Sequence, residues 1–391
     1  MSKLGQSNTA LTSVELIGDP MTTAFYSDER CFWHHGGHYA LTLPVGGPMG
    51  GLVQPGAGLP ENPETKRRLK NLLDVTGLLA TLEQRSASPA TRDDLLRVHP
   101  AAYIDRFHAL SQAEGGELGP RAPFGKGGYD IATLSAGLAK QALLDILQGR
   151  VTNAYALTRP PGHHCLPDRP NGFCLLANIA IAIRAAQAET LFRRFAVIDW
   201  DVHHGNGTEA IFLSDPEILT ISLHQDRNYP TDTGAAEVRG TGAALGTNLN
   251  IPLPPGTGHT GYLEAFSRLV LPALHAHKPD AILIACGFDA AALDPLGRML
   301  ATADTFRQMT RLTREAAETL CHGRLLAVHE GGYSEAYVPF CGHATIAELA
   351  QSAIDAPDPL AATLAARQPD ARFDAFLSTW IDDLETLFTT A

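Results

Sequence analysis

The chain has 391 residues, of which 45% are hydrophobic and 18% are charged, and its formal net charge is −12 at pH 7. This composition is that of an ordinary globular chain, and one α/β domain can account for the whole length. The negative charge argues against direct nucleic-acid binding, which needs a basic face, and it suits a cationic substrate. Apolar runs are too short to cross a bilayer, and residues 1–20 lack a secretory-type apolar core. We therefore expect a cytoplasmic protein with a flexible start and no membrane partner.

In chain order, short apolar runs alternate with helical patterns. The runs lack polar alternation, as is typical of parallel strands that are buried on both faces. The predicted strands are 153–159, 195–200, 218–224, 281–288 and 324–330. The predicted helices are 134–148, 177–189, 261–277 and 304–320, the last with Asp304 as its cap. This alternation predicts a single α/β domain over 1–391, in three layers, with a central, mostly parallel sheet flanked by helices.

The six cysteines are scattered along the chain and form no CxxC pair. This pattern favours reduced thiols over disulfides. Cys165 and Cys174 lie near the motifs described next, so a redox role for this pair stays open.

Chemically active side chains follow the predicted strands where each strand ends. The motif RPPGHH (159–164) ends the first strand, DWDVHH (199–204) ends the second, and the third ends at His224. Asp289 follows the fourth strand, and HEGGY (329–333) follows the fifth. In open α/β sheets, ligands bind outside the carboxyl ends of the strands. The sequence therefore predicts an active site at this edge of the sheet.

Asp201 and His203 are two residues apart, so in extended backbone both side chains leave the same face. Carboxylate and imidazole are both good Zn²⁺ ligands, and a catalytic zinc takes three protein ligands plus water. Asp289 can supply the third ligand. A DxH pair alone is weak evidence, because such pairs also serve in turns and salt bridges. The matching carboxylate at the end of another strand makes metal binding the favoured interpretation.

The adjacent His163 and His164 follow residues 160–162, two prolines and a glycine that restrict the backbone. Histidine is the natural general base near neutral pH. Asp199 can accept a hydrogen bond from one of the two histidines, or it can cap a helix or bind a monovalent cation. Tyr333 follows two glycines and can reach a substrate carbonyl, although spacing alone would favour a packing role.

Together these motifs resemble the arginase-fold deacetylase superfamily, which contains the zinc-dependent histone deacetylases and their bacterial amidohydrolase relatives. The ordered motifs that carry the resemblance are HPAAY (99–103), RPPGHH (159–164), NGFC (171–174), DWDVHHGNGT (199–208), SLHQD (222–226), ACGFDA (285–290), DPLGRM (294–299) and HEGGYSEAY (329–337). NGFC, Asn206 and EGGY are similar to class II members. The likeness is greatest to bacterial histone-deacetylase-like amidohydrolases, with acetylpolyamine amidohydrolases as near relatives. The resemblance implies the arginase/deacetylase fold.

The resemblance also implies one catalytic Zn²⁺ and a structural K⁺. The zinc ligands would be Asp201, His203 and Asp289. The potassium ligands would be Asp199, Asp201, His203, Ser222 and Leu223, some of them through backbone carbonyls.

For catalysis, the resemblance implies that His164 acts as general base and then as acid toward the leaving amine. His163 would give electrostatic support and would be oriented by Asp199. Tyr333 would donate a hydrogen bond to the tetrahedral oxyanion. The channel for an acyl-lysine stem would be lined by Gly172, Phe173 and Tyr229, with Leu296 near its floor.

Three positions bear on this comparison with the family. Asn206 stands where class I enzymes carry Asp behind the second histidine, so we expect a lower pKa for His164, because a neutral partner stabilises imidazolium less. Tyr229 stands where phenylalanine is common and adds a hydroxyl to the channel. Tyr333 is retained rather than replaced by His, which supports ordinary acetyl-lysine turnover.

The expected activity is removal of acetyl or related acyl groups from lysine or from a lysine-like amine. The expected partners are an acyl-lysine peptide or an acylated polyamine. A ureohydrolase of the same fold is a second hypothesis, but it would need two Mn²⁺ and more carboxylates than HGNG supplies. A third is a catalytically inactive acyl-lysine binder, which the intact zinc ligands and Tyr333 argue against.

Two stretches rich in Gly and Pro, 41–63 and 111–128, are predicted to be long loops. The first also carries apolar residues such as Leu41, Val45 and Met49, which a freely solvated loop has no reason to hold. We expect a dimer or tetramer in which one of these loops crosses to a neighbouring subunit and narrows the channel entrance. The alternative is that the loop folds back onto its own chain.

Overall fold

The computed structural model describes residues 22–35 and 59–389, together with the short strands at 39–40 and 43–44. The strands in chain order are β1 (Thr23–Tyr26), β2 (Tyr39–Ala40), β3 (Leu43–Pro44), β4 (Glu83–Arg85), β5 (Gly115–Glu117), β6 (Pro123–Gly125), β7 (Asn153–Ala156), β8 (Phe195–Asp199), β9 (Ile218–Gln225), β10 (Asn248–Leu253), β11 (Ala281–Cys286) and β12 (Leu325–His329). The predictions made for 1–20 and for most of 41–63 lie outside the described residues.

A parallel sheet of eight strands forms the centre, in the order β10–β9–β8–β11–β12–β7–β1–β4. The five predicted strands all occur, and they are neighbours in the sheet, from β9 to β7. The shorter or more polar outer strands β1, β4 and β10 were not predicted. The predicted α/β class with a central parallel sheet is confirmed.

Helices cover both faces of this sheet. They are α1 (Glu64–Val75), α2 (Arg92–Leu96), α3 (Ala101–Gln112), α4 (Gly128–Leu147), α5 (Asn178–Glu189), α6 (Asn206–Phe212), α7 (His259–Ala265), α8 (Leu271–His277), α9 (Ala303–Cys321), α10 (Val338–Leu349), α11 (Ala361–Ala365) and α12 (Ala371–Thr389). A π-helical turn, Phe266–Val270, joins α7 to α8. The four predicted helices correspond to α4, α5, α7–α8 and α9.

Alternation along the strands separates two apolar cores. In β8, Phe195 and Val197 pack with α3, α4 and α5 on one face, whereas Ala196 and Ile198 pack with α1, α9 and α10 on the other. Successive side chains of a strand point to opposite faces, so a continuous apolar run supplies both cores. This packing fixes the strands from both sides and leaves their carboxyl ends to carry polar groups.

The start of α9 differs from the prediction. Thr302, not Asp304, is the N-cap, because its side chain accepts a hydrogen bond from the Thr305 N–H at 3.3 Å. In return, the Thr305 hydroxyl oxygen accepts a hydrogen bond from the Thr302 N–H at 2.9 Å. Asp304 lies in the first turn, where a carboxylate still interacts favourably with the helix dipole.

The segment 111–128 is not one long loop. It contains the end of α3 and an antiparallel hairpin of β5 and β6. Gly115 pairs with Gly125, and a Cβ on Gly115 would lie 2.1 Å from the Phe124 carbonyl oxygen. Glycine at 115 is therefore required by the close approach of the two strands, whereas Gly119 and Gly125 lie against Pro170 and His35.

All six cysteines lie in the described residues, and each is buried and unbridged. Within the same residues, no helix combines the length and the apolar character needed to cross a membrane.

Candidate active site

Strands β8 and β11, neighbours in the sheet, bring together three side chains that could hold a metal ion: Asp201, His203 and Asp289. The Nδ1 atom of His203 lies 3.0 Å from Asp201 Oδ1 and 3.0 Å from Asp289 Oδ2. All three side chains are buried. The two acids, far apart in sequence, thus share one imidazole.

The backbone holds these carboxylates closely. Asp289 Oδ1 accepts a hydrogen bond from the Val202 N–H at 2.7 Å, and Asp201 Oδ2 accepts one from the Gly331 N–H at 2.8 Å. A Cβ on Gly287 would lie 2.2 Å from Asp201 Oδ2, and one on Gly331 would lie 2.5 Å from the same oxygen. Glycine is required at both positions because any side chain would displace the carboxylate.

The donor set of Asp201, His203 and Asp289 fits a divalent cation. Their ligand atoms all lie within 4.8 Å of one another. Ligands about 2.1 Å from a tetrahedral zinc lie about 3.4 Å apart, close to the separations seen here. Burial and the neighbouring Asp201 charge raise the pKa of Asp289 to about 8, so two carboxylates at this point call for a compensating positive charge.

The two adjacent histidines each face a different oxygen. His163 Nδ1 lies 3.0 Å from Asp199 Oδ2, and His164 Nδ1 lies 2.7 Å from Asn206 Oδ1. Their ring centroids are 3.9 Å apart. With Nδ1–H donating to these oxygens, the Nε2 atom of a neutral His164 carries a lone pair.

The surroundings drive the two imidazoles to opposite protonation states. Burial disfavours charge on His163, but Asp201 and Asp199 outweigh it and raise its pKa well above the usual value. Burial, followed by the charges of His163 and His203, lowers the pKa of His164 well below its usual value. These shifts favour the protonated imidazole at His163 and the neutral imidazole at His164.

Glu330 fixes the loop that carries both histidines, and the sequence analysis assigned it no role. Its Oε2 atom accepts hydrogen bonds from the N–H groups of Gly162 at 2.6 Å and His163 at 3.1 Å. Gly162 itself lies against Asn178, whose backbone nitrogen would be 2.6 Å from an added Cβ. The acid in the EGGY motif was the available signal.

Tyr333 follows β12 and borders the same space. Its ring centroid lies 5.9 Å from that of Phe173 and 6.4 Å from that of His203. Burial, Asp289 and Asp201 raise the pKa of the Tyr333 phenol well above the usual value. The phenol keeps its proton and can act as a hydrogen-bond donor.

The predicted channel residues lie beside the histidines. The Tyr229 ring stands edge-on to His164, with centroids 5.1 Å apart, and its hydroxyl donates to Asn171 Oδ1. A Cβ on Gly172 would lie 2.5 Å from His164 Cδ2 and 2.9 Å from the Tyr229 ring. Phe173 has a φ of 68°, in the left-handed region, so the backbone turns sharply at this residue. These residues surround the space in front of His164.

The hairpin of β5 and β6 shapes this region within the same chain, which the sequence did not predict. The Pro120 carbonyl accepts from the Gly172 N–H at 3.1 Å, and the Arg121 carbonyl accepts from the Phe173 N–H at 2.8 Å. The exposed Arg121 guanidinium lies 5.0 Å from the centroid of the Tyr229 ring. The hairpin therefore supports one wall and adds a cation at the mouth.

The remaining predicted residues lie on adjacent elements. Ser222 of β9 pairs with Asp199 of β8, and its hydroxyl accepts from the Gly205 N–H at 3.4 Å. Leu223 follows Ser222 on the same strand. Leu296 is half-buried on the loop after β11, and its carbonyl accepts from Asn228 Nδ2 at 3.1 Å.

Residues 59–349 match the model of the histone deacetylase domain, and the chain belongs to that family. The match confirms the resemblance seen in the motifs and identifies a hydrolase of the deacetylase and amidohydrolase type. The histone deacetylase-like amidohydrolase of Pseudomonas aeruginosa is 55% identical over 368 residues, which cover 94% of this chain and 96% of that protein. A probable deacetylase of Archaeoglobus fulgidus is 38% identical over 297 residues, 74% of this chain and 82% of that one. The crystal structure of the HDA15 HD domain superposes with a TM-score of 0.77 at 30% identity and covers 95% of this chain and 98% of that chain.

Proposed function

We propose that this protein is a zinc-dependent amidohydrolase that removes acetyl or related acyl groups from lysine side chains or lysine-like amines. The observation that carries the proposal is the convergence of the metal-ligating triad with His164 and the Tyr333 phenol around one buried point. A metal-binding triad, a neutral base and a protonated donor are the groups that metal-assisted amide hydrolysis uses.

Asp201, His203 and Asp289 would hold one Zn²⁺. When bound, zinc would polarise the amide carbonyl and lower the pKa of a water molecule. The structural K⁺ would be held by Asp199, Asp201, His203, Ser222 and Leu223. Its charge would offset that of the buried Asp199 and Asp201.

His164 takes a proton from the attacking water through Nε2 while its Nδ1–H, bonded to Asn206, fixes the ring. The water oxygen bonds to the acyl carbon, and Tyr333 donates a hydrogen bond to the oxyanion that develops. His164 then gives the proton to the amine nitrogen as the C–N bond breaks, which yields a carboxylic acid and a free amine. His163, held cationic by Asp199, stabilises the negative charge nearby.

The channel would accept a linear aliphatic stem. Phe173 and Tyr229 supply aromatic walls, and Gly172 leaves room between them and His164. Leu296 adds an apolar contact from the loop after β11. A stem of methylene groups buries its surface against such walls, and the acyl carbonyl then lies between His164 and Tyr333.

Acetate release should be compared for an acetyl-lysine peptide, acetylputrescine and a trifluoroacetyl-lysine peptide, each with and without chelator. We expect release that chelator abolishes and added Zn²⁺ restores. Active protein in which elemental analysis finds no divalent ion would refute the zinc assignment. Metal-loaded protein that binds the acyl-lysine peptide but releases no acetate would instead be an acyl-lysine binder.

An acetylpolyamine is the second candidate substrate. The formal net charge of −12 favours a cationic substrate. A cavity of about 610 Å³ beside the loop that carries Tyr229 is lined by four carboxylates and one guanidinium: Asp226, Asp232, Glu237, Asp383 and Arg227. A higher kcat/KM for acetylputrescine than for the peptide would make the small amine the preferred substrate.

Assembly and cytoplasmic location stay predictions. The expected dimer or tetramer can be checked by light scattering at micromolar protein. A monomer, with unchanged selectivity between acetylpolyamines and peptides after trimming of 41–63, would contradict the subunit-crossing loop.

A further inference from the structure

The chain before Tyr333 is held at Gly331 and turns at Gly332. Gly331 donates its N–H to Asp201 Oδ2 at 2.8 Å and accepts from the Phe288 N–H at 3.0 Å. Gly332 follows with a φ of 118°, in a region where glycine alone is unstrained, and an added Cβ would lie 3.0 Å from Phe288 Cβ. Contacts beyond Gly332 then determine where the Tyr333 ring lies after this turn.

Asp294 makes such contacts. Its side chain is buried, with the residue 7% exposed. Its Oδ2 atom accepts hydrogen bonds from the N–H groups of Tyr333 at 2.7 Å and Ser334 at 3.3 Å. Its Oδ1 atom accepts from the Leu296 N–H at 2.9 Å. Hydrogen bonds to an ionised group are roughly twice as strong as neutral ones, so one carboxylate ties the loop after β11 to the loop after β12.

We propose that Asp294 is a positioning residue that sets the Tyr333 phenol for donation to the oxyanion. It acts through the Tyr333 backbone and through Leu296, which fixes the phenol relative to the channel. The inference rests on the proposed function, in which Tyr333 is the oxyanion donor. Asn228 donates to the Leu296 carbonyl at 3.1 Å, a bond that does not involve the Tyr333 segment, and so provides a matched control.

The test is the variant Asp294→Asn, assayed with acetyl-lysine and trifluoroacetyl-lysine peptides of one sequence. The amide has a single acceptor oxygen and turns an NH₂ group toward the other loop's N–H, so one of the two loops is released. Turnover of the acetyl peptide should fall roughly tenfold to 10²-fold, since a displacement of 1 Å can cost that much. The electron-withdrawing fluorines stabilise the oxyanion, so hydrolysis of the trifluoroacetyl peptide depends less on the phenol. Turnover of that peptide should therefore fall much less.

Three comparisons separate positioning from general damage. In the Tyr333→Phe background, Asp294→Asn should lower acetyl turnover little further, because its target is gone. Asn228→Ala should leave the ratio of the two kcat/KM values at that of the parent. If Asp294→Asn does not fold, Asp294→Glu keeps the charge but is one methylene too long to hold both loops, and it should shift the ratio in the same direction.

Equal losses on both peptides, or the same fold-loss in the Tyr333→Phe background, would overturn the inference and leave Asp294 a purely structural residue. Failure of the proposed function would look different. In that case the zinc-loaded parent protein would itself release no acetate from the acetyl-lysine peptide.

Discussion

The bodies of β8 and β11 and the segments that follow them hold opposite kinds of side chain within a few residues. The bodies, 195–198 and 281–286, are apolar and packed on both faces. The segments that follow carry Asp201, His203 and Asp289, which are equally buried. Burial of apolar surface stabilises the fold, whereas burial of like charges opposes it. The fold thus concentrates its stability in the strand bodies and keeps its chemistry at the strand ends.

Asp289→Asn gives the sharpest test of this division. The change keeps the shape but weakens a metal ligand, so bound zinc and acetate release should both fall to background. In chelator near pH 7 the variant should unfold at no lower urea concentration than the parent, because burial and the Asp201 charge raise the pKa of Asp289 to about 8 and already keep it mostly neutral in the metal-free protein. Elemental analysis, acetate assays and urea unfolding check this. Full zinc content with full activity would contradict the ligand assignment.

His164→Ala should lower turnover by about 10²- to 10⁴-fold, the usual contribution of a general acid–base group. His163→Ala should cost less in the chemical step, because only the neutral histidine can both accept and return the proton. Single-turnover rates on one acetyl-lysine peptide measure this difference. Equal losses would mean that the opposite protonation states of the two rings do not determine their roles.

Tyr333→Phe should lower acetyl-lysine turnover by about 10²- to 10³-fold, as expected for loss of one oxyanion donor. Zinc content and thermal unfolding should stay as in the parent, since the phenyl ring still packs against Phe173. Parental activity in this variant would mean that Tyr333 serves only in packing, like the residues of the strand bodies.

Ile198→Ala tests the body of β8, one residue before its polar end. Truncation of a fully buried Ile typically costs about 2–5 kcal/mol of unfolding free energy, measurable by urea titration. At a temperature where the variant is folded, kcat should stay within a few-fold of the parent. A collapse of kcat in folded, zinc-loaded protein would show that the body also positions the site.

His99 tests a buried polar group away from the edge. Its Nδ1 atom lies 2.8 Å from the Pro167 carbonyl oxygen, and its Nε2 atom accepts a hydrogen bond from the Ala177 N–H at 3.2 Å. Burial lowers the pKa of His99 to about 4. Because the folded pKa is below the unfolded value near 6.5, its contribution is present above 6.5 and is lost as pH falls toward 4. At pH 5 this loss amounts to about 2 kcal/mol.

In His99→Gln that part of the pH dependence should be absent, as parallel urea titrations at pH 8 and pH 5 would show. If the unfolding free energy changed by the same amount between pH 8 and pH 5 in parent and variant, His99 would not titrate in this range.

The sequence predicted the centre of the sheet and missed its edges for a physical reason. Strands buried on both faces read as continuous apolar runs, and the five central strands have that signature. In β10, Asn248 and Asn250 alternate with apolar residues, and their side chains both donate to Glu209 at 2.9 and 2.7 Å. Such a partner is invisible until the fold brings it close.

The site shows the same limit. Residues in motifs at the strand ends could be predicted, because parallel strands bring those ends together. Glu330 lies in the EGGY motif, but its contacts and those of Asp294 and the Arg121 hairpin could not be predicted, because they are with backbone groups or rings of loops distant in sequence. No spacing in the chain marks a carboxylate that accepts from a remote N–H.

The exposed Arg121 beside the Tyr229 ring has a consequence for the end of the reaction cycle. If the chain removes acyl groups from lysine, as proposed, the side chain would enter as a neutral amide and the deacylated amine would leave as an ammonium ion at neutral pH. The Arg121 guanidinium, 5.0 Å from the centroid of the Tyr229 ring, would oppose passage of that ion but not entry of the amide. The change of charge made by hydrolysis would then make product release, and not substrate entry, the step that depends on salt concentration.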